Sequence, residues 1–216
     1  MKKSVITALA VSLLGGALIS ATASADSYFR VTVTNLTKDI TFTPAVVATT
    51  RKGDRFYMGG YAASSELETI AESGNGGPLA ASLDAYDVAG LGFIGPGGSD
   101  YVEVATSGAY KSVTVASMLI PTNDTFFGLN GVAGPTGNKT ISFTVPALDA
   151  GTELNDELCV SLPGPGCGED PGPVSNNGEG YVYVSNGIRG VGDLDADMLD
   201  WNNPVARITI TRFEMD

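Results

Sequence analysis

Residues 112–153 read SVTVASMLIPTNDTFFGLNGVAGPTGNKTISFTVPALDAGTE. The apolar run 113–120 carries no charge and stops at Pro121-Thr122-Asn123-Asp124, a turn sequence, so it predicts a buried strand. Residues 139–145 predict a second strand, which runs into Leu148-Asp149-Ala150-Gly151-Thr152-Glu153. Both strands deliver acids at their ends: Asp124 from one, Asp149 and Glu153 from the other. If the two lie in one sandwich, these acids meet at one end of it. Clustered carboxylates with no Lys or His beside them in sequence point to a hard cation with oxygen ligands, calcium first.

Outward from this stretch the chain keeps a β rhythm. Residues 27–36 alternate Phe29, Val31 and Val33 against Arg30, Thr32 and Thr34, a half-buried strand. Residues 39–48 predict a second strand, with Pro44 at an edge or bulge, and 55–58 a short one. Residues 64–73, SSELETIAES, predict a helix capped by Ser64 or Ser65, with Leu67, Ile70 and Ala71 on its apolar side and Gly74 after its end. Residues 78–88 and 90–98 predict loops anchored by Leu79, Leu83, Leu91 and Phe93. Further strands are expected at 100–106, 180–185 and 205–213, the last with Ala206, Ile208 and Ile210 on one face. Residues 170–180 and 186–203 read as surface loops rich in Gly and acids.

The 216 residues contain 28 Gly and 11 Pro, with 43% hydrophobic and only 17% charged residues, which favours one compact, turn-rich, all-β domain over a helical or disordered chain. About eight strands and one short helix are expected. Residues 1–25 carry Lys2 and Lys3, an apolar stretch and the Ala23-Ser24-Ala25 cleavage pattern of a secretory signal peptide, leaving residues 26–216 as a secreted or periplasmic domain. The stretch is too short for a membrane anchor, and no later one is apolar enough to span a bilayer. Removing the leader takes the formal charge from −12 to −14. That acidity disfavours nucleic acid and suits cation binding. In an oxidising compartment Cys159 and Cys167, the only two cysteines, are expected to pair.

Catalysis finds little support. The chain has no His, which removes His-based triads and His–metal sites. A carboxylate pair of the kind used in glycoside hydrolysis remains as the enzyme alternative, and a passive structural envelope or matrix role as a third. Asp149 also suits a turn or helix cap, Glu153 an exposed acid in the first turn of such a helix, and Asp124 a turn. In residues 192–200, GDLDADMLD, the acids lack the glycine and terminal Glu of an EF-hand loop; they read as solvated, with a second ion site as the alternative. Trp201 is expected to pack beneath that loop.

Three segments resemble the spondin domain, known from F-spondin, mindin and many bacterial secreted proteins. They are residues 116–129, ASMLIPTNDTFFGL; residues 148–153, LDAGTE; and residues 203–209, NPVARIT. Residues 64–72 match the family's S-x-x-[IL]-x-x-[IL]-A-E pattern. The resemblance spans residues 27–213. It implies an antiparallel, C2-like β-sandwich with calcium at one end, held by Asp124, Asp149 and Glu153, the last being Glu where some members have Asp. The expected role is a calcium-binding adhesion or recognition module for a cell-surface, matrix or glycan ligand.

Overall fold

The computed structural model describes residues 27–164, 166–167 and 177–214. The proposed signal peptide and most of the 170–180 loop lie outside them. In chain order the elements are β1 (Ser27–Asn35), β2 (Thr41–Phe42), β3 (Val46–Thr50), α1 (Ser65–Ser73), α2 (Gly77–Ser82), β4 (Ala85–Gly90), β5 (Ser99–Thr106), β6 (Ser112–Ile120), β7 (Thr125–Ala133), β8 (Thr140–Val145), β9 (Leu148–Asp149), β10 (Tyr183–Val184), α3 (Ala196–Leu199) and β11 (Ala206–Glu214), with one 3₁₀ turn at Cys159–Ser161.

Two antiparallel sheets form a β-sandwich. One has four strands in the order β5-β1-β11-β8; the other has seven, β10-β9-β7-β6-β3-β4, with β2 also pairing β6. Between them lies the main core. Phe29, Val31, Val33, Ile208 and Ile210 come from the four-stranded side, and Val47, Val113, Val115, Leu119 and Phe127 from the other. Each set falls on alternate residues, as the two-residue period of a strand requires.

Every residue of β6 is buried. Its odd-numbered apolar residues enter the main core, and Ala116, on the opposite face, joins a second core with Leu67, Ile70 and Ala71 of α1. Covered on both faces, the strand has no reason to alternate apolar with polar residues. α1 is the helix expected from the sequence: the Ser64 side chain accepts from the Leu67 N–H, and Gly74 closes the helix at φ +69°.

The strand inventory differs from the expectation in particulars. Eight strands have five or more residues and three have two. Residues 39–48 are split around Pro44 into β2 and β3, since proline offers the ladder no N–H. Residues 55–58 form no strand. The rings of Phe56 and Tyr57 pack edge-on against Phe126, 6.2 and 5.4 Å between centroids, and the Asn130 side chain pins their backbone by accepting from Phe56 N and donating to Tyr57 O. Residues 78–88 are not a loop: they hold most of α2, in which Leu79 is buried, and most of β4. Phe93 is 66% exposed and anchors nothing inward. The long strand β7 between the two expected strands was not anticipated. Cys159 and Cys167 are disulfide-bonded. Among the described residues no helix is long and apolar enough to cross a membrane.

The second core makes α1 integral to the fold. Ile70→Ala, at a fully buried position, is expected to cost about 2–5 kcal/mol through lost burial and the cavity left behind. Ser64→Ala should cost about 1 kcal/mol through the lost cap. Chemical denaturation of the two variants checks the ranking.

Candidate functional site

The turn that leaves β6 is buried throughout: Thr122, Asn123 and Asp124 are each at most 2% exposed. The Thr122 hydroxyl ties it locally, donating to Leu119 O and accepting from Thr125 N. Asp124 is thereby held against the segment that follows β9. Its carbonyl accepts from Ala150 N at 3.1 Å. Its Oδ2 accepts from Thr152 N at 2.7 Å, Thr152 Oγ1 at 3.2 Å and Glu153 N at 3.1 Å. Its Oδ1 is buried with no partner.

Asp149 closes its own turn: Oδ1 accepts from Gly151 N at 2.8 Å, and Oδ2 from Asn155 Nδ2 at 2.8 Å. Gly151 sits at φ +69°, and a Cβ there would collide with the Tyr181 backbone; this turn requires glycine. Glu153, 1% exposed, receives only a long contact from Asn123 Nδ2, 3.4 Å to Oε2. The β6–β7 turn is thus bonded to the segment after β9. Asp124, Asp149 and Glu153 are buried together where the β6–β7 turn meets the segment after β9. Asp124 and Asp149 both accept backbone amides, as turn residues do, but no helix directly follows Asp149, and Glu153, expected to be exposed in such a helix, is buried.

A fourth acid belongs to the cluster. Glu72, near the C-terminal end of α1, has its Oε1 buried and unpartnered, and its charge acts on both Asp124 and Glu153. Sequence reasoning treated α1 as a packing helix and passed over this residue. The available signal was the S-x-x-[IL]-x-x-[IL]-A-E pattern, which ends on Glu72.

The electrostatics follow from burial without a counter-charge. Burial, then repulsion from Asp124, pushes Asp149 up to about 7. Burial, then repulsion from Glu72 and lesser repulsion from Asp124 and Asp156, pushes Glu153 up to about 8. Asp124 and Glu72 are also raised, burial being the largest cause for each. Every charged neighbour that shifts the three expected ligands is another acid.

All these donors are oxygens, which suits a hard cation. As placed, however, no three or more acidic or cysteine side chains among the described residues converge into a ready-made metal cage. Several of the oxygens are turned to amide donors instead. Three of the four acids of residues 192–200 are employed otherwise. Asp195 caps α3, Asp193 accepts from Cys159 N and Asp200 from Ile188 N. Trp201 is buried in the main core beside Leu194.

No family model matches the chain, and no curated protein matches it.

The carboxyl shifts fix a pH dependence. A carboxyl whose folded value lies above its unfolded value of about 4 contributes stability that is complete at low pH and lost as pH rises through the folded value. In chelator, the stability of the protein is therefore expected to fall by a few kcal/mol as pH rises from about 4, the unfolded value, to about 8, and to level off above the folded values near 7 and 8. Asp149→Asn, neutral at every pH, should flatten the decline. Thermal melts across this range test both statements.

Proposed function

We propose that the chain is an exported, calcium-binding recognition module of spondin type, with its ion held by Asp124, Asp149 and Glu153 and joined by Glu72. The observation that carries this is the Asp124 carboxylate. It is fully buried, one of its oxygens has no partner, and the charges around it are acids. An uncompensated buried carboxylate is costly. A divalent cation supplies the missing counter-charge and takes the oxygens that no donor satisfies. Calcium accepts about six to eight oxygens in flexible geometry, so carbonyls and water complete its shell. Its arrival asks these side chains to trade amide donors for the ion.

The spondin assignment draws support from the way the three resembling segments meet. Asp124 of the first bonds the backbone of the second. Asn203 of the third accepts from Ala147 N at 2.8 Å, just ahead of the second. Segments distant in sequence thus share one corner of the sandwich. A recognition role follows from the resemblance, and export from the leader and the paired cysteines.

The raised values of Asp149 and Glu153 would suit the general acid of a glycan hydrolase. Against that reading, Asp124, Asp149 and Glu153 are each at most 1% exposed, so a sugar cannot reach the pair. A passive structural protein has no need of a response to calcium.

At millimolar calcium, a module of ordinary extracellular affinity gains about 0.4–1.4 kcal/mol, a rise of up to a few degrees in Tm. Asp149→Asn is expected to abolish the rise, Glu72→Gln to reduce it, and magnesium to give less than calcium. Calorimetry of the mature protein with and without chelator decides; an unchanged wild-type Tm rejects the ion.

A further inference from the structure

At the other end of the β6–β7 hairpin, roughly 25 Å from the acidic cluster along a nine-residue strand, the sandwich opens into a cavity of 570 Å³. That volume falls in the range of small-ligand sites. Its lining comes from the start of β1, the turn after β3, the β5–β6 turn, the end of β7 and the end of β11. The chemistry of the lining is opposite to that of the chain as a whole. Lys52, Lys111 and Arg212 line it, and among the described residues no Asp or Glu does, although acids outnumber bases 24 to 12 in the sequence.

Neither Lys52 nor Lys111 has an acidic partner among the described residues. Arg212 donates from Nη2 to Ser27 Oγ at 2.7 Å and to Glu214 Oε1 at 3.1 Å. Among the described residues Glu214 is the one acid bonded to this cationic set, and it stands outside the lining. The remaining wall is mixed. Tyr28, whose ring stacks on Phe213, and Tyr86, whose ring lies 6.0 Å from that of Tyr110 and which is 54% exposed, line it together with Ser27, Ser107 and Thr136. Phe29 forms an apolar floor, its ring lying where a side chain at Gly134 would be.

We propose that this cavity binds the carboxylated unit of an acidic saccharide. Three cations from separate elements attract and orient the carboxylate. Aromatic faces accept the C–H faces of a sugar ring, and hydroxyls exchange hydrogen bonds with its own. The inference rests on the recognition reading for its biological sense, but not on the calcium site.

Carboxylated sugars also bind calcium, so the test is run in chelator. Tetragalacturonate and its methyl ester, the same rings without charge, are titrated calorimetrically into the mature protein. Binding of the acid at least tenfold tighter than the ester is expected. Weakening between about 50 and 300 mM salt should follow from screening. Lys52→Ala with Lys111→Ala should cut affinity at least tenfold; both side chains are exposed, so the fold tolerates the change. Glu214→Gln should tighten binding a few-fold by freeing Arg212, and Asp149→Asn should leave it unchanged. Equal affinity for acid and ester, indifference to the lysine pair, or no binding overturns the proposal. Binding that appears only with calcium and vanishes in Asp149→Asn assigns the sugar to the acidic end and overturns it equally. Competition by inorganic sulfate at the same concentration as the sugar reduces the cavity to a simple anion site and rejects the saccharide. A calcium-insensitive Tm together with a positive titration sinks the ion reading and leaves this one standing.

Discussion

Burial of β6 on both faces is the constraint on which the other elements depend. A strand that is apolar on two sides needs two covers. The four-stranded sheet supplies one, through Val31, Val33, Ile208 and Ile210, and α1 supplies the other, through Leu67, Ile70 and Ala71. The helix therefore cannot be an ornament on the sandwich. Because it lies over the sheet, its end carries Glu72 to the turn that follows β6, and the acidic cluster gathers there as a consequence of packing.

The two ends of the β6–β7 hairpin carry opposite chemistry. At one end carboxylates are taken out of water beside other carboxylates, and their values rise. At the other, three cations line a cavity that has no acid among its described lining residues. A chain with twice as many acids as bases could not produce this separation by composition alone; it needs strands that place turns distant in sequence side by side. Such a charge-separated module presents its cationic end to anions while its remaining surface repels them.

What the sequence made legible was whatever has a period or a terminator. The alternation in residues 27–36, the paired turn acids and the Ser64-to-Gly74 helix frame all have local physical causes, and β1, Asp124 with Asp149, and α1 followed them. β7 was hidden because it is buried nearly throughout and interrupted by glycines. Gly128 is required by rings from another segment, since a Cβ there would lie 2.6 Å from Phe56 Cζ, and no local pattern announces that. β4 was hidden by Asp87, a residue uncommon in strands, whose carboxylate accepts from Ala105 N of β5 at 2.7 Å. Glu72 looked like an ordinary polar residue at a helix end, because the surroundings of its carboxylate include Thr152, eighty positions away.

The seven-stranded sheet tapers at one side to β9 and β10, strands of two residues each. Another chain adding itself to a sheet by backbone pairing needs a run of free amides and carbonyls, and so short an edge offers almost none. At this flank the sheet is therefore protected from templating the pairing of further copies of the chain.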